Sequence, residues 1–212
     1  LLRGRGVGAE VVTADAFQVY RGMDIGTAKP TQEEMRRVAH HMTDVVEPTQ
    51  RFTASDWLSD ATQRIEECQS RGVVPIVVGG THLYVKLLVD GMFKGPGADE
   101  ALRADLAAME PGTLRAELER VDPAAAARIH PNDLRRTVRA IEVFRLTGRT
   151  ITEQQSQWAD IGSPASGTQF RLVVLHWPAE LRNPRINARV TDMVVRGLEG
   201  EVRGLWQRGV LG

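Results

Sequence analysis

The chain has a single cysteine, Cys68, and no surplus of either charge, since 27 Lys and Arg face 27 Asp and Glu. One thiol excludes an intramolecular disulfide and any cysteine-rich metal site. Long apolar runs are missing too: none approaches the ~20 residues of a membrane span. The opening Leu1-Leu2-Arg3-Gly4-Arg5-Gly6 lacks the apolar stretch and cleavage site of a secretory signal. These absences predict a cytoplasmic protein with no membrane partner. The charge balance supplies no general attraction for nucleic acid, so an RNA site would have to be a local patch. What is present is an ordinary globular mixture, 42% hydrophobic and 25% charged over 212 residues. That is enough for one ample domain or a core with a small insertion.

Val11 and Val12 form a short β-branched run, the mark of a buried strand. The strand ends on Asp15, followed by Gln18, Tyr20, Arg21 and Lys29 with interleaved glycines. Ligands of open α/β sheets bind at the carboxyl ends of strands, which places Asp15 where a general base would sit. The competing role for such an aspartate is a cap on the next turn. A polar helix is expected from Thr31 to Ala39 with Thr31 as N-cap, then a strand from Met42 to Val46. Thr53 opens a helix reaching about Arg71, with Trp57, Ala61, Ile65 and Cys68 on one face. The run Val73 to Val78 has the length and composition of a fully buried parallel strand. Gly79-Gly80-Thr81 then turns into a helix from Thr81 to Val89, with backbone N–H groups facing a ligand or Thr81 acting simply as N-cap. His40 and His41, lacking a third ligand at suitable spacing, read as structural.

From about Gly95 to Gln157 strand-like runs give way to Ala, Leu, Glu and Arg, which is helical material. Asp122-Pro123 reads as an N-cap with proline at the first helical position. A helix over Asn132 to Leu146 places Leu134, Val138 and Ile141 on a core stripe, with Arg135 and Arg139 on a neighbouring face. Between Arg128 and Arg149, six arginines face only Asp133 and Glu142. Such a run is either a solvated face or a grip on phosphates. Strand character returns over Phe170 to His176, and a helix starting at Pro184 carries Arg185 and Arg189.

The segment Asp15-Ala16-Phe17-Gln18-Val19-Tyr20-Arg21-Gly22-Met23-Asp24-Ile25-Gly26-Thr27-Ala28-Lys29-Pro30 resembles the signature of the tRNA dimethylallyltransferases. Three further stretches match the same family in order: Val77-Val78-Gly79-Gly80-Thr81, the segment from Asp122 to Asp133, and Arg185-Ile186-Asn187-Ala188-Arg189. The resemblance implies an α/β fold with a P-loop-NTPase-like, nucleotide-binding parallel-sheet core in 1–94 and 161–212, and an inserted helical subdomain in 95–160 that grips tRNA. It implies transfer of a dimethylallyl group from dimethylallyl diphosphate to the exocyclic amine of the adenosine beside the anticodon. Asp15, Thr81 and Arg185 would then be catalytic. Contacts to the tRNA anticodon stem-loop would come from Asp15, Ala16, Phe17, Gln18, Thr81, Arg103, Arg135, Arg136, Thr137, Val138 and Arg139. Mg²⁺ would accompany the diphosphate, Lys29 is a further cation candidate for it, and the enzyme would act as a monomer.

The chain departs from the family pattern at its start, where Leu1 to Gly8 reads as linker and nothing matches G-x-x-x-x-G-K-S/T. The expectation is a fragment lacking the N-terminal phosphate loop and the C-terminal part, with little activity by itself. Two other readings stand beside it: a non-catalytic tRNA-binding remnant, and an adenylate prenyltransferase or small-molecule kinase of the same core fold.

Overall fold

The computed structural model describes residues 8–91, 95–160 and 170–210. The expected linker from Leu1 to Gly8 lies, Gly8 apart, outside the described residues. The chain divides into two compact units, Leu1–Val89 with Phe170–Gly212, and Asp90–Gln169.

The first unit is built on a parallel sheet of three strands in the order β2-β1-β3. These are β1 (Ala9–Thr13), β2 (His40–His41) and β3 (Val74–Val78). Helices α1 (Gln32–Arg37), α2 (Ala54–Ser70) and α3 (His82–Asp90) connect and cover them. Thr31 and Thr53 each close a capping box, with Glu34 and Asp56 as the reciprocating acids. The apolar period of α2 places Trp57, Ala61, Ile65 and Cys68 in the interior, as its spacing requires. The Trp57 indole donates to the carbonyl of Thr13 at 2.9 Å and its ring stacks on Tyr84, centroids 4.5 Å apart. A fully buried indole needs such an acceptor, and this one ties α2 to the end of β1.

Several expected elements differ. The strand expected over Met42–Val46 is instead the two-residue β2, because Met42 and Asp44 take positive φ angles of 64° and 55° that break an extended run. Asp44 turns in to meet Lys29, and the N–H groups of Val45 and Val46 both reach the carbonyl of Val19. Strand β3 is not fully buried. It lies at the sheet edge, and Val74, Ile76 and Val78 are 39–51% exposed on its uncovered face. The stretch from Phe170 to His176 forms no strand, since no backbone neighbour pairs with it among the described residues. Its side chains from Leu172 to Leu175 are 68–82% exposed. Helix α9 (Ala179–Val195) begins five residues before Pro184, which sits inside it. A proline that close to the N-terminus removes only one ladder hydrogen bond.

The second unit is helical: α4 (Glu100–Ala107), α5 (Pro111–Val121), α6 (Pro123–Arg128), α7 (Leu134–Thr147) and α8 (Ile151–Asp160). No strand lies between Asp99 and Leu146 among the described residues. Leu106, Leu114, Leu118, Ala125, Ala126, Ala140 and Ile141 form its core. Asp122 caps α6 through the Ala125 N–H and also accepts from the Thr152 backbone and hydroxyl, which joins α6 to α8. On α7 the core stripe is rotated from the expected one: Leu134 is 42% exposed, while Thr137 and Glu142 are buried. Helix α10 (Leu198–Gln207) closes the chain within the first unit.

Candidate active site

The carboxyl ends of β1 and β3 are locked together around Ala14. Its N–H donates to the carbonyl of Val78 at 2.8 Å, and its carbonyl accepts from the Thr81 N–H at 3.2 Å. A Cβ on Gly79 would fall against three backbone atoms of Ala14, the farthest of them 2.8 Å away, so only glycine lets the strands approach. The Thr81 hydroxyl accepts from the Ala16 N–H at 3.0 Å. Thr81 therefore joins its turn to the segment that begins at Asp15, in addition to opening α3.

One oxygen of Asp15, Oδ1, accepts from the N–H groups of Phe17 at 2.8 Å and Gln18 at 3.3 Å. Asp15 is thus a turn cap, and its other oxygen, Oδ2, has no hydrogen-bond partner among the described residues. Gln18 is oriented just as firmly. Its Nε2 donates to the carbonyls of Thr27 and Ala28 at 3.1 and 3.3 Å, which fixes the amide's direction and leaves Oε1 as a spare acceptor. Ala16 is half-buried and Phe17 is 62% exposed. A cavity of about 570 Å³ opens beside them, lined by Thr13, Asp15, Gln18, Lys29, Val78 and Gly79, with Glu34, Arg37 and His40 among the residues of its remaining wall.

Lys29 is not a mobile cation. Its ammonium, 2% exposed, donates to the carbonyl of Tyr20 and to the carboxylates of Asp24 and Asp44. All three of its protons are committed to the loop, so the assignment of Lys29 to the diphosphate is corrected to a structural one. Arg185 stands apart from the cavity lining, with its guanidinium over the Trp177 ring at 4.7 Å from the centroid.

In the helical unit, Glu142 is fully buried and binds two of the arginines read as RNA contacts. Arg103 donates from Nε and Nη2 at 2.9 and 3.1 Å, and Arg139 from Nη1 at 2.6 Å. Burial alone would raise the Glu142 carboxyl, but these two arginines and the Asp99 N–H outweigh it and hold the group below its ordinary value. Arg135 and Arg136 point outward, the latter 76% exposed with Asp133 at 3.4 Å. Thr137 is 1% exposed and Val138 half-buried, so the side chain of Thr137 faces the interior.

Two groups escaped sequence reading. Glu201 of α10 binds the backbone of Asp24, Ile25 and Gly26, some 175 positions away. Glu10 gathers His41, Cys68 and Arg71. His41 Nε2 is 2.7 Å from its Oε2, the Cys68 thiol donates at 3.3 Å, and Arg71 grips both oxygens. Potential metal-ligand atoms of Glu10, His41 and Cys68 lie within 4.8 Å of one another, but the guanidinium already neutralises the carboxylate. Burial, then Glu10, pushes the Cys68 thiol up, away from the thiolate a metal would need.

A parallel-sheet core with a fixed aspartate at a strand end, beside a glycine turn, is a site of the open α/β class, and comparison with known proteins gives the family. The chain belongs to the IPP transferase family, whose model matches residues 18–212. It is 45% identical over 207 residues to the tRNA dimethylallyltransferase of Thermotoga petrophila, covering 96% of this chain and 66% of that protein. With the Geobacter sulfurreducens tRNA dimethylallyltransferase it shares 46% identity over 206 residues, 95% of this chain and 65% of that one. The chain thus spans about two-thirds of the length of these relatives. Among solved structures, the full-length tRNA isopentenylpyrophosphate transferase from Bacillus halodurans is 38% identical with a TM-score of 0.60, over 98% of this chain and 64% of that one. A eukaryotic dimethylallyltransferase acting on tRNA superposes with a TM-score of 0.78 at 27% identity, over 97% of this chain and 51% of its own. The fold is therefore the α/β, P-loop-NTPase-like core of the tRNA prenyltransferases.

Proposed function

We propose that this chain carries the adenosine-recognition and proton-removal part of a tRNA dimethylallyltransferase. The observation behind this is the pair of unspent acceptors, Asp15 Oδ2 and Gln18 Oε1, held by backbone hydrogen bonds beside one cavity. An exocyclic amine has two protons and a lone pair delocalised into its ring. One acceptor can orient the amine while a carboxylate takes a proton as the nitrogen becomes cationic. The nitrogen bonds to the first carbon of the dimethylallyl group, the carbon–oxygen bond to diphosphate breaks with its electrons staying on oxygen, and the proton goes to Asp15. Thr81 serves this step by fixing the Ala16 N–H, and thereby the turn that carries Asp15.

Mg²⁺ would neutralise the departing diphosphate. Of the carboxylates along the cavity, Asp15 has one oxygen committed to its turn and Glu34 serves the capping box of α1. With Asp15 Oδ2 kept for the proton and Glu34 held by Thr31, neither carboxylate is an open metal ligand, so the cation would be held chiefly by the diphosphate oxygens it accompanies. The family resemblance is what assigns Arg185 to the diphosphate; its guanidinium lies over the Trp177 ring, outside the cavity lining. Arg135 and Arg136 offer the exposed charge for tRNA phosphates. The target base must leave its stack, at a cost of a few kcal/mol.

Asp15→Asn tests the assignment, since asparagine still caps the turn but cannot accept the proton. In the intact protein, kcat should fall roughly 10²- to 10⁴-fold with tRNA affinity and melting temperature little changed. A stable and fully active Asp15→Asn enzyme would remove Asp15 from the mechanism.

A further inference from the structure

The loop from Asp24 to Ala28 presents three consecutive N–H groups to a single carboxylate. Asp24 and Ile25 each donate to Glu201 Oε2 at 2.7 Å, and Gly26 donates to Oε1 at 2.9 Å. Successive backbone N–H groups of this kind form an anion-binding concavity. Here the anion is a side chain of α10. A Cβ on Gly26 would lie 3.1 Å from Leu198 Cδ1 and 3.4 Å from Glu201 Oε1, so the helix and the loop are closely apposed. The loop is tied internally by Ala28 N–H to Ile25 O and Lys29 N–H to Asp24 O, both 3.0 Å. Its opposite side carries the carbonyls of Thr27 and Ala28, which are the acceptors that orient Gln18.

We propose that Glu201 is a positioning residue for Gln18. Its carboxylate seats the loop, the loop presents two carbonyls, and those carbonyls aim the Gln18 amide at the cavity. The kinetic part of this inference rests on the transferase reading above; the structural part does not.

The test is Glu201→Ala in the intact protein, followed by titration with formate or acetate, small carboxylates that fit the emptied concavity. In wild type, the Gly26 amide proton should resonate downfield, and the Gln18 side-chain NH₂ should exchange slowly with solvent. Both signatures should be lost in Glu201→Ala and return saturably with acetate. The kcat for tRNA prenylation should fall roughly ten- to a hundredfold, the scale of a misplaced orienting group, with a smaller change in KM. Acetate should recover part of it, and chloride at equal ionic strength should not. Gln18 protons unmoved in Glu201→Ala, or a kcat loss that no carboxylate relieves, would overturn the proposal. If wild type itself shows no prenyl transfer, the transferase reading fails while the NMR response still decides the role of Glu201.

Discussion

Glu10 shows how far one half-buried carboxylate can be shaped by its neighbours. The side chain is 16% exposed, and the Arg71 fork, followed by His41, lowers its pKa from 4.5 to about 2. A carboxyl depressed in the folded state adds stability that is fully present above its unfolded pKa and is lost as pH falls through the folded one. The window here runs from about 4.5 down to about 2. Denaturant midpoints measured across it should fall steeply in wild type and distinctly less in Glu10→Gln, which no longer titrates. Parallel slopes for the two proteins would show that the Arg71 pair makes no net contribution. Asp15 illustrates the opposite economy, since one of its oxygens secures the turn and the other remains for chemistry.

Helices α4 and α7 are joined by charge as much as by apolar packing. Glu142 sits at 0% exposure between Arg103 and Arg139, and Arg139 also donates to the carbonyl of Pro96. Removing one partner of a buried pair leaves an under-compensated charge, so Arg139→Ala should cost about 3 kcal/mol. Arg135→Ala, one helical turn away on the exposed face, should stay within about 0.5 kcal/mol. Urea unfolding of the two variants checks this, and equal stability would assign Arg139 to the surface after all. The sequence announced elements whose cues are local. Thr53 with Asp56, Asp122 with Pro123, and the Trp57-Ala61-Ile65-Cys68 spacing each decide a cap or a face within a few residues. It misjudged those settled by distant neighbours. Among the described residues, Val74 to Val78 has the composition of a buried strand but lies at an edge, and Phe170 to His176 has that of a strand but no neighbour to pair with. The candidate site divides the same way. Asp15 and Gln18 were legible because their turn is local, whereas Glu201 and the Thr81–Ala16 bond join positions 175 and 65 apart.

For the molecule as a whole, a formal net charge of +0 means that affinity for a polyanion must come from placed arginines rather than from a general field. Of the six arginines between Arg128 and Arg149, Arg139 is spent on Glu142 and Arg145 on Glu117, while Arg128 bonds Thr152 and Gln155. Arg135 and Arg136 are exposed, and Arg136 shares its charge with Asp133 only at 3.4 Å. Each phosphate neutralised releases counterions and steepens the dependence of log K on log salt by about 0.7 for single-stranded and 0.9 for duplex nucleic acid. Replacing Arg135 and Arg136 together by Ala should therefore flatten that slope by about one to two units, with stability retained. Arg103→Ala should instead lower stability and leave the slope of the folded fraction nearly unchanged, because its guanidinium already serves Glu142. Filter binding of unmodified tRNA over a salt series distinguishes the two. A double variant with wild-type affinity and slope would return this face of α7 to plain solvation and require the tRNA to be held elsewhere.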